Sequence, residues 1–394
     1  MTAPARVVVV GAGIVGAACA HRLAAAGLDT VLVDRGEVGS GTTSRGEGNI
    51  LVSDKAPGPE LDLALRSRAR WLELGEELGA DALELDPKGG LVVASTAAAL
   101  APLAAFAEAQ RGAGVEVHDV IDPRDLEPRL AADLAGARHY PQDLQVQPVL
   151  AAATLVAAAR QAGADYRPHT EVTAAVSDRA GRLTGIRTQH GDVIGCDLVV
   201  NAAGTWGGIL SERLGVPIPV LPRRGFILVT EPVPPLVRHK VYSADYVDNV
   251  GSSQEGLETS CVVESTWGGT ILIGASRERV GFDNAMSPGT VARLAASATR
   301  LFPVLRGVSL MRVYRGFRPY CPDHLPVIGP DPRNPRVVHA CGHEGAGIGL
   351  APATADLVLD QVGGASGDPR GTGLAARFGA LRPDRLLAPS QGAA

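Results

Sequence analysis

Four consecutive valines, Val7 to Val10, run straight into Gly11, Gly13 and Gly16; a helical pattern follows, then a second apolar run that closes on Asp34. This succession constrains the chain more than any other feature. β-Branched residues without alternation suit a strand buried on both faces. Gly11 permits a tight turn, Gly13 lets backbone approach a pyrophosphate, and Gly16 lets the helix lie close on the strand. The helix aims its unpaired N–H groups and the positive end of its dipole at the phosphates. Gly27 is a natural stop. Asp34 follows Gly11 by 23 residues, where an acid meets ribose hydroxyls. Strand, turn, helix, strand and acid in register predict a dinucleotide-binding βαβ unit.

With 394 residues and 45% hydrophobic content, the chain can bury a large core in two or three domains. The net charge is −5 without a basic run, which argues against a nucleic-acid partner. Arginine supplies most of the positive charge, and the lysines are Lys55, Lys88 and Lys240 alone. Cys19, Cys196, Cys261, Cys321 and Cys341 form no CxxC pair, as expected of free thiols in a reducing cytoplasm. No apolar stretch reaches the ~18–20 residues that span a bilayer, and no apolar signal segment opens the chain. A soluble, cytoplasmic protein is expected. There is no His/carboxylate cluster at metal spacing and no Ser/His/Asp elbow, so no metal and no hydrolase chemistry is expected.

Along the chain, residues 37–50 are rich in Gly, Ser and Thr, which is loop chemistry. Helices are predicted over 60–79, 97–111, 146–163 and 287–303, and a short one within 121–130. Strands are predicted at 91–95, near 116–121, around Val172, at Leu183–Arg187, Leu198–Val200, 222–232, 261–265, 269–276 and within 310–330. The later strands suggest a mostly antiparallel second domain inserted in the first.

Two further stretches bear on ligand binding. CDLVVNAAGTW (196–206) is a buried strand ending in Asn201, Ala202, Ala203, Gly204 and, just beyond, Trp206. Small residues at the C-terminal end of such a strand admit a ligand closely. Near the chain's end, Gly342, Gly345, Gly347 and Gly349 form a Gly-rich loop before a helix, whose positive end would face a group gaining negative charge. A reduced flavin carries that charge; a nicotinamide does not.

These motifs in this order resemble the glycine oxidase and D-amino-acid oxidase family of flavoenzymes. The motifs are VVVVGAGIVG, the GTTS of 41–44, LVVNAAG, YRGFRPYCPDHLPVIGP and GHEGAGIGLAPATADL, and they cover nearly the whole chain. The chain is also similar to the flavin subunits of heteromeric opine, hydroxyproline and cyanide-forming glycine dehydrogenases. The resemblance implies an α/β fold: a Rossmann-like FAD-binding domain of p-hydroxybenzoate-hydroxylase-like topology, with an inserted mixed, mostly antiparallel substrate domain. The expected division is 1–83, 147–216 and 321–394 for FAD, and 84–146 and 217–320 for substrate. The implied reaction oxidises an amine beside a carboxylate to an imine, with hydride passing from the α-carbon to flavin N5.

The resemblance puts Ile14 and Val15 at the pyrophosphate turn and Asp34 with Arg35 at the adenosine ribose. Thr42, Thr43, Ser44, Glu47, Gly48 and Asn49 would line the stretch from pyrophosphate to flavin. Val172 would contact adenine through its backbone. His343, Glu344, Gly345, Ala346, Gly347, Ile348 and Gly349 would surround the flavin ring. Arg318, in GFRPYCPD, matches the family arginine that pairs with the substrate carboxylate, and a carboxylate entering a dry pocket calls for such a bidentate cation. The family's substrate tyrosine falls at Val262 and an arginine of the C-terminal loop falls at Gly345, which points to a larger, more apolar or differently anchored substrate than glycine. Tyr242 and Tyr246 are candidates for a replacement hydroxyl. FAD is expected to bind non-covalently, with Cys321 the one thiol close in sequence to the key arginine. The expected partners are an amino or imino acid and, as electron acceptor, oxygen or a redox partner. Both a homo-oligomer and a heteromeric complex remain open, and the second reading is a flavin subunit active only with partner chains.

Overall fold

The computed structural model describes residues 5–244, 254–365 and 373–387. The valine run is the central strand, Arg6–Val10, of a six-stranded sheet. From one edge, the strands are Val327–Asp331, Asn334–Cys341, Leu198–Asn201, Arg6–Val10, Asp29–Val33 and Asp165–Arg167. All neighbours are parallel except the first pair. Alternation explains why every valine is needed. Val7 and Val9 face the helices Ile14–Ala25, Pro148–Gln161 and Gly347–Ala365. Val8 and Val10 face a three-stranded antiparallel sheet, Val172–Ser177, Leu183–Thr188 and Val193–Gly195. A strand apolar on both faces is covered on both faces.

An eight-stranded sheet is built from residues 90–140 and 221–320. Its strand order is Leu310–Tyr320, Leu221–Thr230, Ile271–Arg277, Glu258–Ser265, Lys240–Ser243, Gly90–Ala94, Gly136–Tyr140 and His118–Val120. Only the pairing of Lys240–Ser243 with Gly90–Ala94 is parallel. The helix Pro288–Leu301 packs Leu294, Ala298 and Leu301 against one face, beside Phe226, Leu228 and Val263. The opposite face meets the dinucleotide-binding half. There the Tyr314 hydroxyl donates to the Gly46 carbonyl (3.1 Å), and the Thr42 hydroxyl donates to the Phe317 carbonyl (2.9 Å).

Two expectations need correction. The helix expected within 121–130 is a three-residue 3₁₀ turn, Pro123–Asp125, because Asp122 spends its carboxylate on the Arg124 N–H and guanidinium. The strands Gly136–Tyr140 and Lys240–Ser243 were not expected. Arg138, His139 and Lys240 interrupt any apolar signal, and both segments are drawn into the sheet by pairing with Gly90–Ala94.

Candidate active site

A cavity of about 620 Å³ lies between the C-terminal ends of the parallel strands and the face of the eight-stranded sheet. Its walls fall into three stretches. At the first, Asp34, Arg35 and Val172 line the space. Asp34 Oδ2 accepts the Ala12 N–H and Oδ1 the Gly36 N–H, both at 2.7 Å, so the acid braces the turn it faces. The Arg35 guanidinium stands 4.1 Å over the Trp206 ring. Arg213 bridges Glu171 (2.7 Å) and the Val172 carbonyl (2.8 Å).

The middle stretch holds Gly11, Gly13, Ile14, Val15, Thr42 and Thr43. Gly11 has φ +113°, and a Cβ there would lie 2.4 Å from the Ala202 carbonyl oxygen. A Cβ on Gly13 would lie 3.1 Å from Thr43 Oγ1, the acceptor of the Ile14 N–H (3.0 Å). The N-cap residue of the first helix, Gly13, has no side chain to cap it, and the helix N-terminal end lies at the cavity. This is a cradle that side chains would fill and that a pyrophosphate suits.

The third stretch gathers Glu47, Asn49, Ala203, Gly204, Trp206, Arg318, His343, Glu344, Gly345, Gly347 and Ile348. Trp206 stacks on Phe282 (5.6 Å between centroids), which meets Phe317 edge-on (5.3 Å), giving an aromatic wall from both halves of the molecule. Trp71 Nε1 donates to the Ile348 and Gly349 carbonyls, which fixes the start of the C-terminal helix. Glu344 takes φ +47°, held by its N–H to Pro319 and its carboxylate to Arg223 and His324. Against the opposing effect of burial, the His324 hydrogen bond and then the Arg223 guanidinium hold that carboxyl below its ordinary range.

Some expected positions shape the cavity without forming its surface. A Cβ on Gly16 would meet the Gly11 carbonyl at 1.7 Å, so Gly16 joins helix to turn. Gly48, at φ +100°, faces the Val146 carbonyl, and Gly349 rests on Asn49 and Ile50. Gly342, at φ +75°, packs on Val327 and Val220. Ser44 binds back to the Ser40 and Gly41 carbonyls, and Ala346 packs under the sheet. Tyr246 lies outside the described residues. Tyr242 is not the replacement hydroxyl: it is fully buried and hydrogen-bonded to the Ser53 hydroxyl, away from the cavity surface. None of the five thiols lines the cavity, Cys321 included; burial pushes it up to about 12. No helix among the described residues is long and apolar enough to cross a membrane.

Arg318 lies over Gly225, where a Cβ would come within 2.2 Å of Nη1, and donates from Nη1 to the Ser276 carbonyl (2.8 Å). Asp323 does not compete for it, being paired with Arg385 (2.6 Å). Gly345 keeps the far side open: its Cβ would be 3.7 Å from Arg318 Nε.

His343 is buried, with Nε2 3.0 Å from the Thr354 hydroxyl, and desolvation lowers its pKa to about 4. It is a neutral imidazole at pH 7. The unfolded chain protonates this ring near pH 6.5 and the folded chain only near 4. Stability therefore falls as pH drops through that window, by about 3 kcal/mol in all, and levels off below it. Thermal unfolding of His343→Gln against wild type between pH 7 and 4 checks this, since the variant loses that part of the slope.

Sequence reasoning missed a buried charge cluster on the same sheet face. Lys240 Nζ sits 2.9 Å from Glu264 Oε2, hydrogen-bonds Asn49 Oδ1, and lies 3.7 Å from Glu47 Oε2. The available signal was that Lys240 is one of three lysines in the chain, set just before Val241 and Tyr242.

Comparison with known proteins identifies the family. The sequence profile of the DAO family, FAD-dependent oxidoreductases, matches residues 6–361. The chain belongs to that family. It is 32% identical to glycine oxidase of Geobacillus kaustophilus over 366 residues, 90% of this chain and 92% of the relative. The crystal structure of glycine oxidase from that organism superposes with TM-score 0.84 at 30% identity, covering 98% of this chain and all of the other. Over 240 residues, 61% of this chain and 54% of the relative, it is 35% identical to hydrogen cyanide synthase subunit HcnC of Pseudomonas aeruginosa. As a DAO-family member the chain is an FAD-dependent oxidoreductase, and its fold is the α/β fold of these flavoenzymes.

Proposed function

We propose that the chain oxidises the C–N bond of an amino or imino acid to an imine, which water then hydrolyses. The observation that carries this reading is the placement of Arg318 over Gly225, facing the glycine-rich start of the C-terminal helix across one cavity. FAD supplies the acceptor for the hydride that leaves the α-carbon. The residues around it bind and orient. Gly11, Gly13, Ile14 and Val15 would hold the pyrophosphate at the helix N-terminus; Asp34 and Arg35 would take the adenosine ribose, and Val172 the adenine. The 343–349 loop would sit at the flavin's pyrimidine side, where the helix dipole favours negative charge. The Arg318 fork would grip the substrate carboxylate, fixing the α-carbon for transfer. Trp206, Phe282 and Phe317 would form an apolar wall along the cofactor, with Trp206 meeting Arg35 at the ribose end. With no thiol on the cavity surface, the cofactor is held without a thioether.

Purified protein with FAD is expected to show flavin absorbance that bleaches anaerobically on adding an amino or imino acid. Re-oxidation in air then separates an oxidase from a dehydrogenase that needs a redox partner. Protein that takes up no FAD, or flavin that no such acid reduces, would end this reading. Likeness to the HcnC subunit favours a second one, in which turnover requires partner chains; full activity of the single chain defeats it. For the cofactor, Asp34→Ala is expected to raise the FAD Kd by ~30-fold, from the loss of charge-assisted hydrogen bonds. Fluorescence titration of apoprotein measures it, and an unchanged Kd would remove the ribose assignment.

A further inference from the structure

The sheet face beneath the cavity carries two charged groups of opposite sign. Arg318 occupies the space over Gly225. Glu47 occupies the space over Gly274, whose absent Cβ would meet Glu47 Oε1 at 2.3 Å and Ile227 Cδ1 at 3.0 Å. Gly274 lies beside Ile227 on the neighbouring strand, and Ile227 is two residues along from Gly225, so the two floor positions are on the order of 8 Å apart. That is the scale on which a small α-amino acid presents its carboxylate and its amine to separate partners.

Glu47 is built for a partner the protein does not supply. Its side chain is 4% exposed and lines the cavity. Oε2 is occupied: it accepts from Asn49 Nδ2 at 3.1 Å and faces Lys240 Nζ at 3.7 Å. Among the described residues Oε1 has no hydrogen-bond partner. Leaving a buried carboxylate oxygen unmatched costs free energy unless a ligand completes it. The residue opposite Gly274 across the sheet is Val262, an alkyl side chain that cannot do so. Lys240 and Asn49 hold the carboxylate in place. Glu264, bound to the same lysine, is pushed up by burial.

Resting on the amino-acid reading above, we propose that Glu47 Oε1 binds the substrate's amine and accepts its proton before oxidation. The substrate's N–H bond breaks and an O–H bond forms on Glu47; the nitrogen keeps the electron pair, and the neutral amine then releases hydride from its α-carbon. Arg318 and Glu47 together select a zwitterion, an acid bearing an adjacent amine, over a plain carboxylic or 2-hydroxy acid. The titratable and charged groups facing Glu47 are Lys240 and Glu264 on the sheet and Tyr314 on its edge strand. Arg45 lies on its own segment, and Lys88 lies beyond Glu264.

The test uses FAD-loaded Glu47→Gln, an isosteric change, with an amino acid that bleaches the wild-type flavin and its analogue lacking the amine. Expected is a fall of about 100-fold or more in kcat/KM at pH 7. The variant's rate should recover as pH rises toward the free amine's own pKa. Affinity for the amine-free analogue, read from the flavin spectrum, should change less than 3-fold (roughly the scatter of a neutral contact). Glu47→Asp should restore part of the loss. Wild-type rate and pH profile in Glu47→Gln overturn the proposal, as does equal weakening of the amine-bearing and amine-free ligands. Should the variant fail to hold FAD, the wild type decides. It must bind the amine-bearing ligand more tightly than the amine-free analogue, read from the flavin spectrum, and equal affinities overturn the proposal. A wild-type flavin that no amino acid bleaches sinks the amino-acid reading instead, and is distinguishable because it needs no variant.

Discussion

Arg318→Ala is expected to lower kcat/KM by about 3–5 kcal/mol, more than two powers of ten, while FAD binding persists. The size follows from the surroundings. The guanidinium lies against the sheet floor with Nη1 on the Ser276 carbonyl, so its orientation is set before a ligand arrives. Truncation removes a fixed fork and leaves a substrate carboxylate in a largely dry pocket without its counter-charge. Arg318→Lys keeps the charge but not the planar fork, and an intermediate loss is expected. Steady-state kinetics with the flavin spectrum as control make the measurement. An unchanged kcat/KM would remove Arg318 from the carboxylate.

Gly16→Ala is expected to destabilise the fold by about 3 kcal/mol or more and to abolish FAD retention. The added methyl would sit 1.7 Å from the Gly11 carbonyl oxygen and 2.9 Å from its carbon, both backbone atoms that cannot swing aside. Relief requires the first helix to lift off the strand, which opens the turn that presents the helix N-terminus. Gly112→Ala is the control: its Cβ meets nothing within 4 Å, and its Tm should hold or rise slightly. Equal Tm values for the two variants would contradict the close helix–strand contact.

The first βαβ unit was legible because its signals are local. Val7 to Val10 are apolar at every position, and the sheet buries every position, with helices on one face and a small sheet on the other. Gly11 stands where φ is +113° and Gly16 where a methyl has no room, so those residue types follow from geometry. Thr42, Thr43 and Trp206 were found through motif likeness, and they do line the cavity. Tyr242 was misread because a tyrosine on a strand reads the same whether its hydroxyl faces a cavity or a buried serine. The strand at Lys240 was missed because Arg238, His239 and Lys240 in succession break any apolar run and look like a loop. Only the cross-strand placement of Glu264 and the approach of Glu47 and Asn49 make the burial of Lys240 tolerable.

What the amino-acid order determined by itself is the cofactor-binding grammar: which residues turn, which stack into a doubly covered strand, where an acid and a helix end must fall. These depend on backbone conformation and on neighbours a few residues away. What only the tertiary structure decided is the pairing of charge across the substrate side, Arg318 over Gly225 and Glu47 over Gly274. Those partners lie more than two hundred residues apart along the chain in the case of Glu47. No period or motif encodes such a meeting, because it is set by strand register and by how one half of the molecule rests on the other.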